Sequence, residues 1–179
     1  LLLLLGLWFH SSTLVTAGLI LIMGFFDVVL SFGLVVVLFY GGLFTMFFSS
    51  VCAVFECDLK KVVALSTLSQ MGFSMMTLGM GYYFVSLLHL VGHALFKSCL
   101  FMQVGFYIHS CFGQQDVRGC GGLGSSFFFV HLQMVLTLFC LCGLFFTSGF
   151  VTKDMILFFF FGSIEVWFWK FFFFVGVFF

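Results

Sequence analysis

The stretch SFGLVVVLFYGGLFTMFF, residues 31–48, carries no charge, and its apolar side chains fall on every side of a helix and on both faces of a strand. A half-wet strand alternates apolar with polar residues, and so does a strand of a membrane barrel. A helix in lipid can be apolar all round because it satisfies its backbone hydrogen bonds internally. The stretch therefore predicts a membrane helix.

The rest of the chain extends that reading. Of 179 residues, 64% are hydrophobic and 7% are charged, against roughly 25% charged in a soluble domain. A bilayer core about 30 Å thick needs roughly 20 apolar residues per crossing, so this length holds about six crossings with short loops. The fold class is an all-α integral membrane protein of about six transmembrane helices. Residues 1–179 read as a single transmembrane helical domain with helices at 7–24, 28–50, 61–80 and 83–109, a discontinuous helix at 127–161, and a last segment at 164–179. The discontinuity is expected near 144–153, where Gly149 with Thr147 and Ser148 weakens the helix and two charges follow. The net charge is zero, which gives no reason to expect a nucleic-acid partner.

The opening LLLLLGLWFH has no positively charged region before it and does not read as a signal peptide. The seven cysteines, Cys52, Cys57, Cys99, Cys111, Cys120, Cys140 and Cys142, form no CxxC and read as small apolar residues. The sequence has no proline and no asparagine but 33 phenylalanines. A coding strand rich in T and G produces that bias, which points to mitochondrial encoding.

Orientation follows from the basic residues. Lys60 and Lys61 lie between the second and third helices and Arg118 between the fourth and fifth, two crossings apart and hence on one side. The loops at 24–27 and 79–83 carry no lysine or arginine. The asymmetry assigns the basic side to the cytoplasm or matrix.

Within this apolar chain, HLVGHALFK at 89–97 sets His89, His93 and Lys97 four residues apart, so all three share one helix face, with Ser86 near the same stripe. A lysine at a helix centre costs about 2.5–3.5 kcal/mol on insertion scales, so that face must meet protein or water. One reading is structural: histidines bonded to neighbouring helices and a snorkelling lysine. A metal site is a weaker reading, because HxxxH supplies two ligands and no third is evident nearby. The third is a proton relay, since imidazole titrates near neutral pH and burial disfavours a charged amine. Lys153 and Asp154 follow the weakened segment FFTSG, and a broken helix exposes backbone groups that water can satisfy. They read either as ion-path residues or as a loop outside the membrane. His10 reads as a relay group or an interfacial cap. Asp58 reads as an N-terminal helix cap, Glu165 and Lys170 flank Trp167 and Trp169 in an interfacial pattern, and His109 and His131 read as interfacial.

Five strings, HSSTLVTAG, CDLKKVVALSTLSQMG, HLVGHALFKSCLFMQVGFYIH, QQDVRGCGGL and TSGFVTKD, together resemble the chain 5 family of NADH-ubiquinone oxidoreductase, the antiporter-like membrane subunits of respiratory complex I. The resemblance covers about residues 10–160. It implies a bundle built as half of an inverted repeat, in which 28–179 correspond to the second repeat and 7–24 to the last helix of the first. It further implies that His10, His89, His93, Lys97 and Lys153, with Asp154 beside it, belong to a polar axis that moves protons, and that the chain performs no redox chemistry itself. NADH, FMN, iron-sulfur clusters and ubiquinone are then expected on other subunits, and no cofactor or metal on this one. The implied partners are other membrane-arm subunits, including a separate chain that supplies the first repeat, together with lipids. The implied location is the mitochondrial inner membrane. The family usually has a proline near the break before TKD, whereas here Phe145 or Phe146 stands in that region. A subunit of a Na+/H+ antiporter, or a structural arm subunit that no longer pumps, is the alternative.

Overall fold

The computed structural model describes residues 14–119, 127–143 and 147–163. Among the described residues there are seven α-helices and no strand, as the composition predicts: α1 Val15–Gly24, α2 Phe26–Ser31, α3 Val35–Phe55, α4 Leu59–Gly79, α5 Tyr83–Ser110, α6 Phe128–Cys142 and α7 Ser148–Ser163. Helices α3, α4 and α5 have 21, 21 and 28 residues and are long and apolar enough to cross a membrane. At 1.5 Å per residue the shorter two reach about 31 Å, the thickness of a hydrocarbon core. The segment 164–179 and His10 lie outside the described residues.

The expected helix at 28–50 is two helices. The chain turns at Gly33, whose φ of +67° lies in the left-handed region that a side chain disfavours, and α3 then runs on to Phe55. An unbroken apolar run hid this interruption because hydropathy carries no backbone information.

Helix α4 is the centre of the bundle. Its Phe73 and Met76 pack with Leu43 and Met46 of α3, Val85 of α5, and Ile156 and Phe160 of α7. Its Met71 and Leu78 pack with Leu19 and Met23 of α1 and Leu90 of α5. Its Val63 meets Leu100, Phe101, Val104 and Ile108 of α5. Lipid is as apolar as these side chains, so close packing rather than water exclusion holds them together, and small residues permit it. At Gly72 a Cβ would stand 2.6 Å from the Thr45 hydroxyl and 2.8 Å from the Met46 nitrogen. The α3–α4 crossing therefore requires glycine there.

The loops at one end meet as the basic residues predict. Leu59 N–H donates to Gln115 O at 3.1 Å and Val117 N–H to Cys57 O at 3.2 Å, forming an isolated bridge between Asp58 and Asp116. This contact puts Lys60, Lys61 and Arg118 at the same end. Asp58 does occupy the N-cap position of α4, yet its side chain makes no capping bond. It pairs instead with Lys61 at 3.0 Å.

Candidate functional site: a buried histidine–lysine cavity

The stripe on α5 is buried as its period requires: Ser86, His89, His93 and Lys97 are 0–6% exposed. Lys97 stands fourteen residues from Tyr83 and thirteen from Ser110, the middle of α5, about 20 Å from either end. Snorkelling is therefore ruled out by reach. Its ammonium donates to Ser66 Oγ at 2.6 Å and lies 3.4 Å from Val63 O. The Ser66 hydroxyl in turn donates within α4, 2.8 Å from Val62 O and 2.9 Å from Val63 O, which leaves its lone pairs facing Lys97.

Lys153 comes to the same region from α7 and is 5% exposed. The helix interruption explains how. Helix α6 ends at Cys142, and Gly143 caps it in a left-handed conformation with φ +75°, donating its N–H to Phe139 O. The last carbonyls of a helix lack partners inside it and carry its negative end. Lys153 Nζ donates to one of them, Leu141 O, at 2.7 Å. Among the described residues α6 thus ends before Gly143 and α7 starts at Ser148, at the N-terminal part of the expected interruption. Gly149 sits in the first turn of α7, where its missing side chain lets α7 cross against the Cys140 carbonyl. Phe145 and Phe146 lie outside the described residues.

His89 Nδ1 lies 3.4 Å from Thr152 Oγ1. The Thr152 hydroxyl also donates to Gly149 O at 3.2 Å, so Nδ1 of His89 is engaged on the α7 side and Nε2 points elsewhere. That atom and Nε2 of His93 are buried, and neither has a hydrogen-bond partner among the described residues. The two rings lie 6.3 Å apart, and Phe73 packs edge-on against His89 at 5.0 Å.

These groups line one cavity: Gln70 from α4, His89 and His93 from α5, Cys140 and Leu141 from α6, and Thr152 and Lys153 from α7. Its open volume of about 20 Å³ exceeds the roughly 10–15 Å³ that a water molecule needs. The arrangement juxtaposes imidazole lone pairs and an ammonium around a space of water size, which is what proton transfer between side chains requires. It gathers His89, His93 and Lys153 at the cavity, with Lys97 one turn further along α5. Asp154 is exposed on α7 and does not line the cavity. Among the described residues no group of three His, Cys, Asp or Glu side chains could hold a metal ion.

Sequence reading did not single out Gln70, Ser66 or Thr152. The signal was available: STLSQ at 66–70 is a polar run inside an apolar helix, and such residues face the bundle interior.

Residues 4–179 match the family described as NADH:quinone oxidoreductase/Mrp antiporter, TM. NADH-ubiquinone oxidoreductase chain 5 of Ascaris suum is 62% identical over 154 residues, 86% of this chain and 28% of the relative. The chain 5 protein of Caenorhabditis elegans is 60% identical over 169 residues, 94% of this chain and 32% of the relative. That of Anopheles arabiensis is 45% identical over 155 residues, 83% of this chain and 38% of the relative. The chain spans about a third of the length of the curated relatives it matches. With a transmembrane helical bundle, buried histidines and lysines, and a match over nearly its whole length, the chain belongs to the NADH:quinone oxidoreductase/Mrp antiporter membrane family.

Proposed function

We propose that this chain is the second-repeat portion of a complex I chain 5 subunit and carries part of its proton path through the mitochondrial inner membrane. The observation that carries the reading is the cavity shared by His89, His93 and Lys153 inside a membrane-spanning bundle. Lys97 and Lys153 hold and release protons, His89 and His93 pass them between the two, and His10 links to the first repeat, supplied by further sequence or by a partner chain. Each lysine bonds to a neutral oxygen, Ser66 Oγ or Leu141 O. Such a partner accepts from an ammonium or from a neutral amine. Asp154, exposed beside Lys153, has no part in the cavity and at most receives protons outside it. The redox groups, NADH, FMN, iron-sulfur clusters and ubiquinone, are placed on other subunits of the oxidoreductase, and this chain does no electron transfer. The names of its relatives favour this reading over a Na+/H+ antiporter subunit.

The test is substitution of Lys97→Met and Lys153→Met in the assembled complex, with protons moved per NADH oxidised as the readout. Both variants should lower the ratio. An unchanged ratio in both would leave the chain a structural member of the arm.

A further inference from the structure

The relay cavity holds a nucleophile that the relay does not use, the thiol of Cys140. The rotation of α6 that brings it there is set by a buried bond: the Thr137 hydroxyl donates to Gln103 Oε1 of α5 at 2.9 Å, and both side chains are buried. The other end of that amide, Gln103 Nε2, has no acceptor among the described residues. Cys140 stands three residues beyond Thr137, hence on the same face of α6, and lines the cavity with His89, His93 and Lys153. No other described cysteine lines it. Cys140 is half-buried, whereas Cys52 on α3 is exposed.

The cavity is suited to a small polar guest. Nε2 of His89 and Nε2 of His93 belong to side chains that are 5% and 6% exposed, and neither has a hydrogen-bond partner among the described residues. An unmet buried nitrogen is unfavourable, and a guest that both donates and accepts satisfies it in either tautomer. Water is such a guest, and hydrogen peroxide is another that is little larger. The open volume of about 20 Å³ is above the roughly 10–15 Å³ that one water needs. It is far too small for a peptide disulfide such as oxidised glutathione.

We propose that Cys140 is a site of oxidation by hydrogen peroxide and that its oxidised form blocks the relay, a reading that rests on the proton-relay function above. The thiol passes its proton to a cavity imidazole, since a neutral imidazole keeps one nitrogen as an acceptor, and the thiolate is the nucleophile. Sulfur attacks one peroxide oxygen; the S–O bond forms as the O–O bond breaks, and the departing hydroxide takes the proton back from the imidazolium. The products are a sulfenic acid and one water, so sulfur is oxidised and peroxide is reduced. The added oxygen occupies the space through which His93 and Lys153 exchange protons. A sulfenic acid is reversible by thiols, so the block is too.

The test uses the assembled complex in membrane vesicles, with each sample compared with its own untreated ratio of protons moved per NADH oxidised. After peroxide treatment, removal of the oxidant and unfolding in dimedone, the Cys140 peptide should carry the dimedone adduct. The ratio should fall in proportion to the fraction labelled, and dithiothreitol given before unfolding should restore it. Cys140→Ala and Cys140→Ser should each keep their ratios through the same treatment. Absence of the adduct on Cys140 overturns the proposal, and so does an equal fall in the two Cys140 variants. Oxidised glutathione should leave Cys140 of the folded complex unmodified; a glutathione adduct there overturns the selection by size. Unchanged ratios after full labelling, while Lys97→Met and Lys153→Met lower the ratio, overturn the block and leave the relay standing. Parental ratios in both lysine variants overturn the relay, and the adduct alone then decides whether Cys140 is the oxidation site.

Discussion

The loop end and the middle of this bundle hold the same kinds of charged side chain and treat them differently. At the loop end Lys61 reaches Asp58 at 3.0 Å and Glu56 at 3.8 Å, and Arg118 donates to Cys57 Sγ at 3.0 Å. Water reaches all of them, so these contacts align two loops and contribute little energy. In the middle, Lys97 and Lys153 are almost fully buried against a hydroxyl and a backbone carbonyl. A buried carboxylate would hold a lysine in one charge state, whereas the neutral hydroxyl beside Lys97 accepts from an ammonium or an amine alike. Solvated ion pairs suit anchoring, and buried amines with neutral partners suit carrying protons.

The strongest way to break that contrast is to move α4, the helix that supplies the neutral partner of Lys97. Gly72→Leu forces a side chain where a Cβ already meets Thr45 and Met46; overpacking of this kind costs about 1–3 kcal/mol or more. The thermal midpoint of the detergent-solubilised complex should fall or the subunit should fail to accumulate, and a parental midpoint would contradict the crossing described. Ser66→Ala comes next. It removes the hydroxyl that meets Lys97, and a hydrogen bond to a charged group contributes about 1.5–3 kcal/mol. Proton movement per NADH should drop, less than in Lys97→Met, and Ser66→Thr should retain it. Thr152→Val removes the longer contact to His89, a neutral bond worth about 0.5–1.5 kcal/mol. Its effect on the same ratio should be smaller still.

The smallest effect belongs to the loop end. Asp58 lies below the ordinary carboxylate range because Asp116 hydrogen-bonds to it and Lys61 sits beside it, and Asp116 lies above that range because of Asp58. The lowered group loses its stabilising contribution as pH falls through its folded-state value, and the raised group loses its own as pH rises through its folded-state value. The contact between the loops should therefore be firmest at acidic pH within the ordinary carboxylate range, between the two, when the carboxyls share one proton. The protection of the Leu59 and Val117 amides, taken relative to intrinsic exchange at each pH, should be greatest there, and Asp116→Asn should flatten that profile. An unaltered profile in that variant would separate the carboxyls from the bridge.

Much of the site was legible because a spacing of four is a statement about one helix: His89, His93 and Lys97 must share a face wherever α5 goes. Lys153 was legible because a charge following a weakened helix is rare in an apolar chain. Less legible was where the helix stops. Gly143 stands one residue before the expected window and adopts the left-handed geometry; Gly149, inside it, serves a backbone crossing. Asp154 follows Lys153 in sequence but is turned about 100° around α7, so adjacency placed it at the site and the helix carried it away. Partners on other helices, Ser66, Thr152 and Thr137, had no periodic signal linking them to α5.

By itself, the sequence determined the lipid environment, the helical class, that the basic loops share one end and the face of α5 that is buried, because each depends on composition or on the period of one helix. Which groups meet across helices was decided only by the tertiary structure. That Lys153 faces His89 and His93, that Leu141 offers it a carbonyl, and that Gln103 is left with an unmet donor all depend on glycine-permitted crossings and on a helix end at Gly143, and packing geometry of that kind has no one-dimensional signature.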